Sequence, residues 1–347
     1  MRIERLTAHL RACGLYNNEV SDDGLVYKNL EPDDFYEKFF GGAGPENQGV
    51  VKVNMAALLD ENLIGFASGS FREKADHGFI TFVCVDSKHR RKGLGGELLA
   101  ALEAELRAEN PEIRAFRVDY ENPVNLGWFL PGFRPDPEKG FKGTDHPNAP
   151  GVSDGSDAHK FFLAKGYETN RAHGFIAQDS FYREIQNYHI SDELVQNLED
   201  LKEKGLSVCF YDPEKHGGFE ELCDNLGSAD WRFHLMGYQD KVAGCQVSNK
   251  MPEPMLILAA GPRVVGFSGP LRVQESGRGY FTGVAVHSDF RGVKGGKSLF
   301  SALCMAFKEM GVRFVTLFTA RENFARNIYL AEDFEIVKSW ANLRKLI

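Results

Sequence analysis

Long apolar runs are missing from this chain, and so are closely spaced cysteines. No stretch of its 347 residues approaches the roughly 20 consecutive apolar positions that a bilayer-spanning helix needs, so no membrane association is expected. The opening residues, MRIERLTAHLRACGLYNNEV, lack the apolar core of a secretory signal, and a cytoplasmic location is the expectation. The six cysteines, at 13, 84, 209, 223, 245 and 304, form no CxxC pair and no cluster at ligand spacing. That argues against a disulfide framework or a structural zinc, and no metal is expected. Cys84, Cys209 and Cys304 lie in apolar contexts and read as small buried hydrophobes. Positive charge is scarce too, with 41 Lys and Arg against 49 Asp and Glu and a formal charge of -8. The one local basic run, Lys88 to Lys92, is too short for a duplex footprint and suits a small polyanion, so nucleic acid is not expected as a partner. Net acidity fits a cationic substrate through steering alone.

What is present is enough apolar residue for packed cores, 43%, in a length that suits two domains. The chain is organised around Val85 to Leu99, VDSKHRRKGLGGELL. An apolar run, Phe79 to Val85, leads in as a strand. A helical pattern leads out, with Leu94, Leu98, Leu99, Leu102 and Leu106 on one face. Between them, Gly93, Gly95 and Gly96 allow successive backbone N–H groups to converge without Cβ clashes, and Arg90, Arg91 and Lys92 add charge. A strand, such a turn and a helix N-terminus together make an anion site.

The device recurs. Val286 to Phe300 reads VHSDFRGVKGGKSLF, 201 residues further on. In that register Ile64-Gly65-Phe66 faces Val265-Gly266-Phe267, Gly78 and Thr81 face Gly279 and Thr282, and Glu121-Asn122 faces Glu322-Asn323. An internal duplication accounts for this. The register then slips by 34 residues, so that Phe162 meets Tyr329. The slip is the stretch 123–157, with six prolines and six glycines, which can be neither a helix nor a central strand. It reads either as an Ω-loop capping the core or as one wall of an acceptor pocket. Its Trp128, Phe129, Leu130 and Phe133 are too apolar for a passive linker and are expected to pack. Expected domains are 1–190, carrying this insertion, and 191–347.

Elsewhere Val50 to Leu59 and Leu63 to Ser68 read as a hairpin, Glu112 to Val118 as a strand, and Ala158 to Gly166 as a helix closed by glycine. Thr169 to Ala177 reads as a strand, Ser180 to Glu203 as helix-prone, Trp231 to Tyr238 as a strand, and Phe334 to Leu346 as a final strand and tail.

These motifs resemble the GNAT superfamily of acyl-CoA N-acyltransferases, in its tandem-domain, mycothiol synthase-like form. The family loop, Gln/Arg-x-x-Gly-x-Gly/Ala, is met by Arg90 to Gly95, and by Arg291 to Gly296 except that Lys294 stands for the first glycine. The resemblance implies a mixed α/β (α+β) fold of two GNAT-like domains, each a mostly antiparallel sheet flanked by helices. Two neighbouring strands, 79–85 and 113–119, would splay apart to admit acetyl-CoA. The implied cofactor contacts are Cys84, Val85, Arg90, Arg91, Lys92, Gly93, Leu94, Gly95, Gly96, Asn122 and Phe162, with the Val85 N–H polarising the thioester carbonyl. In the repeat, Lys294 either fills the phosphate space or aims at phosphate.

The implied reaction is direct attack of a primary amine, on a small molecule or peptide, on the thioester. Family members often use a tyrosine as acid for the leaving thiolate; the matching positions are Phe162 and Tyr329. The copy with the intact loop therefore lacks the phenol. Tyr329 is either that acid or a core tyrosine. Tyr120 and Tyr167 are possible substitutes, and the Ile347 carboxylate is a possible base. Glu121, His77 and Asp119 are candidate bases, with helix-terminal charge placement as the other reading of Glu121. The mismatches at 162 and 294 support an alternative, a non-catalytic acyl-CoA-binding or regulatory protein. Oligomeric state is not legible.

Overall fold

The computed structural model describes residues 1–347 except 7–8, 20, 23–24, 42–48, 130–144, 147, 172–175 and 249–251. Contacts divide the chain into two units. The first comprises Met1–Ser180, Leu317–Asn323 and Ile336–Ile347, and the second Phe181–Thr316 and Phe324–Glu335. This division differs from a single cut after residue 190, and the reason is a ladder at the end of the chain. Leu343–Leu346 pairs antiparallel with Ala115–Val118 and with Glu168–Thr169, which ties the last segment to the first unit.

The sheet of the first unit has seven strands, in the order Arg2–Arg5, Val50–Leu59, Asn62–Arg72, His77–Val85, Ala115–Val118, Leu343–Leu346, Glu168–Thr169. Its central hairpin turns at Asp60 and Glu61, both at positive φ, which matches the twist of the flanking strands. All neighbours are antiparallel except His77–Val85 and Ala115–Val118, which run parallel. Helix Leu94–Glu109 lays the expected leucines, 94, 98, 99, 102 and 106, against this sheet, all buried. Each contributes about 1.5–3 kcal/mol relative to exposure. Trp128 is fully buried, as expected, and donates its indole N–H to the Asn148 carbonyl at 2.9 Å. Leu130 and Phe133 lie outside the described residues.

The second unit repeats the plan. Strands Leu206–Phe210, Leu256–Ala260, Arg263–Gly269 and Gly283–Val286 form an antiparallel sheet, with helix Gly295–Glu309 following the turn. Matching details recur in both copies. Asp86 N–H bonds Ile64 O at 2.9 Å, and His287 N–H bonds Val265 O at 2.8 Å. Arg90 Nε bonds Val85 O, and Arg291 Nε bonds Val286 O, at 2.9 and 3.1 Å.

Four sequence readings are corrected. Trp231 to Tyr238 lies within helix Ala229–Ser248, whose buried Leu235, Tyr238 and Val242 fall at helical spacing. The strand expected at 169–177 is instead Glu168–Thr169 and then Ala177–Glu184, with 172–175 outside the described residues. The helix expected from Ser180 begins only at Asp192, where the Ser191 hydroxyl accepts the Leu194 N–H at 3.1 Å. The final strand is two, Glu335–Ala341 and Leu343–Leu346.

Candidate acyl-donor site

The parallel strands of the first unit pair only at His77 with Ala115, Gly78 with Phe116 and Phe79 with Arg117; beyond that point they part. A register shift places Ser68 opposite Phe82 and Gly69 opposite Ile80, so Thr81 is an extra residue, a bulge, where the V opens. Asn122 Nδ2 holds the Thr81 hydroxyl at 3.1 Å. Since Asp86 N–H bonds Ile64 O, alternation along the antiparallel ladder puts Cys84 in a bonded pair with Phe66 and leaves Val83 and Val85 in non-bonded pairs. The N–H and C=O groups of Val83 and Val85 therefore point away from the hairpin and into the gap. The open edge is Val83 and Val85, with the Val85 carbonyl taken by Arg90.

A cavity of about 560 Å³ fills the gap. Cys84, Val85, Arg90, Arg91, Gly93, Gly95, Gly96 and Phe162 are among the residues that line it. At its loop end the N–H groups of Arg91, Lys92, Gly93, Leu94 and Gly95 have no acceptor among the described residues. Two residues of that turn adopt left-handed backbone, Arg91 at φ 61° and Gly93 at φ 87°. The repeat has the same geometry with the glycine exchanged, Gly292 at φ 79° and Lys294 at φ 62°. Lys294 thus keeps the turn's shape. Its ammonium bonds Asn197 Oδ1 at 2.9 Å.

Other expected residues lie off the cavity wall. Leu94 is buried in the core, contributing only its N–H to the turn. Lys92 Nζ folds back onto Lys88 O at 3.0 Å. Asn122 acts on the bulge. Glu121 is 2.7 Å from Arg117 Nη1, and Asp119 is 2.7 Å from Arg117 Nε and 3.2 Å from Asn170 Nδ2. Burial pushes the Asp119 carboxyl up, a shift that Arg117 reduces and does not cancel. His77 pairs with Asp76 at 2.8 Å. Tyr120 is half-buried, which raises its phenol to about 12, with Glu121 adding to the effect. The Tyr167 hydroxyl bonds Glu103 at 2.9 Å. Ile347 donates its N–H to Arg114 O at the closed end of the V, so its carboxylate is remote from the opening. Tyr329 sits in the second unit, buried among Phe181, Phe300 and Phe334, with burial raising its phenol.

Wall residues that the sequence did not single out include Glu19, Tyr27, Ser153 and Lys165. Glu19 accepts the Ser87 N–H at 3.0 Å and the Arg90 guanidinium at 2.5 Å. Tyr27, edge-on to Phe82 at 6.4 Å, is the phenol among the described wall residues. Ser153 is buried, and its hydroxyl has no hydrogen-bond partner among the described residues. Lys165 follows helix Asp157–Ala164. Only the last had a sequence signal, a lysine before the closing Gly166, and that pattern reads equally as helix capping. The wall segment Gly151 to Ser153 belongs to the proline-rich insertion, so one end of that insertion does border the cavity.

Among the described residues no group of three or more His, Cys, Asp or Glu is placed to hold a metal, and no helix is long and apolar enough to cross a membrane. The family described as "Acetyltransferase (GNAT) family" matches residues 14–130 and 203–332. Among solved structures, the chain is similar to a GCN5-related glucosamine N-acetyltransferase region of a fungal multi-domain GH3 β-N-acetylglucosaminidase, with 13% identity and a TM-score of 0.62. That match covers 99% of this chain and 38% of the fungal one. A tandem GNAT protein from the clavulanic acid biosynthesis pathway matches at 14% identity and a TM-score of 0.57, covering 99% of this chain and 98% of that one. A GCN5-related N-acetyltransferase from Sphaerobacter thermophilus matches at 13% and 0.58, covering 99% and 95%. No curated protein matches the chain.

Proposed function

Because the chain belongs to the GNAT family of acetyltransferases, matched in both of its repeats, we propose that it moves an acetyl group from acetyl-CoA to a primary amine of a small molecule or peptide, and that the first unit holds the donor. The observation that carries this is the row of N–H groups, Arg91 to Gly95, without an acceptor among the described residues, at one end of a cavity between parted strands. A diphosphate satisfies such donors, and an amide-bearing arm satisfies the open edge at Val83 and Val85 and the orphan Ser153 hydroxyl.

The donor supplies an acyl group activated as a thioester. The residues then have three tasks: to fix the carbonyl, to admit a neutral amine, and to protonate the departing sulfur. The Val85 N–H is the polarising donor. Phe162 leaves the family's usual acid position without a proton, so Tyr27 or a water replaces it. Glu121, spent on Arg117, deprotonates the amine only through intervening water.

Direct attack needs no covalent carrier, and Cys84 is poorly suited to be one. Burial pushes its thiol up to about 12, so it stays protonated at pH 8. Intact-mass analysis after incubation with acetyl-CoA is expected to show no acetyl-cysteine at Cys84; a stable adduct there would replace direct attack with a two-step route.

The test of the reading is thiol release from acetyl-CoA in the presence of an amine panel. Tight donor binding without turnover would favour the second reading, a regulatory acyl-CoA-binding protein, which Phe162 and the engaged Glu121 support. Tyr329→Phe is expected to keep at least half of the turnover, since its ring packing is preserved and the proposed donor site is in the other unit. A loss beyond tenfold would move catalysis to the second unit.

A further inference from the structure

The surroundings of Lys165 carry an inference that rests on the donor-site reading. Of the loop's basic side chains, Arg90 is spent on Val85 O and Glu19, and Lys92 on Lys88 O. Arg91 and Lys165 line the cavity, and neither has an ion-pair or hydrogen-bond partner among the described residues. A Cβ added to Gly96 would stand 2.4 Å from Lys165 Nζ and 2.6 Å from its Cε. The ammonium therefore lies against the first turn of helix Leu94–Glu109. A cation at the positive end of a helix dipole is unfavourably placed by itself. An anion held by the same turn reverses the sign of that arrangement.

The second unit lacks both parts. In the register that aligns Phe162 with Tyr329, Lys165 corresponds to Glu332, which is buried and bonded to the Tyr188 and Ser301 hydroxyls at 2.7 and 2.5 Å. Gly96 corresponds to Lys297, whose ammonium pairs with Glu193 at 2.7 Å.

We propose that Lys165, with Arg91, is the side-chain cation that engages the donor's diphosphate, and that position 96 is glycine to admit it. Lys165 is a specificity residue for a diphosphate-bearing donor in the first unit; at the aligned positions the second unit carries Glu332 and Lys297 instead.

Calorimetric titration of the full chain with CoA and with dephospho-CoA tests this. Lys165→Ala is expected to weaken both ligands about 10- to 100-fold, the worth of a charge-assisted contact. Lys165→Arg should remain within about threefold, and Gly96→Val should match Lys165→Ala by displacing the ammonium. Lys294→Ala, in the repeat, should leave both affinities unchanged. A change below twofold for Lys165→Ala, or a loss with CoA that is absent with dephospho-CoA, overturns the assignment, the latter by giving Lys165 to the ribose phosphate. If the wild-type chain binds neither ligand, the donor-site reading fails and takes this inference with it.

Discussion

Gly93→Val removes donor binding by roughly two to four orders of magnitude while the fold persists. Gly93 sits at φ 87° with nothing nearer to a built Cβ than Glu97 Oε1 at 3.9 Å, so space is not the obstacle. Conformation is, because a β-branched residue in left-handed backbone is costly, and the chain relieves the strain by turning φ negative. That re-aims the N–H groups of Leu94 and Gly95. Two hydrogen bonds to a charged group are worth roughly 3–6 kcal/mol together. The repeat supplies the control, for Lys294 holds the equivalent position at φ 62° with a full side chain. Gly93→Lys is therefore expected to lose far less affinity than Gly93→Val. Calorimetry with CoA and a thermal melt, run together, separate binding from folding. Affinity within threefold of wild type for Gly93→Val would mean that the turn does not hold the diphosphate.

Arg117→Leu is expected to lower unfolding stability by about 3–5 kcal/mol, the usual result of stripping one partner from a buried ion pair. Arg117 and Asp119 are 5% and 3% exposed, and the guanidinium also meets Glu121 and lies 5.3 Å from the Phe79 ring centroid. Burial opposes the charge on Arg117, yet Asp119 and Glu121 more than offset it and raise its pKa. Removing the arginine leaves the Asp119 carboxylate buried with Asn170 Nδ2 and the Glu121 N–H as its donors. Arg117 is also the last residue paired with the leading strand before the V opens, opposite Phe79. Urea denaturation measures the effect. The double variant Arg117→Leu with Asp119→Leu should recover part of the loss, since the orphaned charge goes with it. A single-variant change below 1 kcal/mol would show that the pair does not hold the base of the V.

The same residues show why the site was half legible. Gly93, Gly95 and Gly96 announced the turn, because left-handed backbone and close approach leave few other residue types. The charge assignment was not legible in the same way. Arg90 and Lys92 are as basic in sequence as Arg91, but only the folded chain shows the first clamped to Glu19 and the second folded onto Lys88 O. Glu121 looked like a base because it ends a strand in both copies, and its engagement with Arg117 emerges only from side-chain packing. The misread helix at Ala229–Ser248 has a different cause. Aromatic and apolar residues crowd 231–238 densely enough to hide the helical period, which becomes clear only when Val242 is included.

By itself the sequence determined the strand–turn–helix device, its duplication and the leucine face of the helix, because each depends on residues within a few positions of one another, where turn chemistry and periodicity act directly. Tertiary structure alone decided three things. It put the last strand beside Ala115–Val118, brought Lys165 over Gly96, and brought Tyr27 and Ser153 to the cavity wall. Those outcomes join segments tens to hundreds of residues apart, and such pairings are set by packing and by ladder hydrogen bonds that no local pattern encodes.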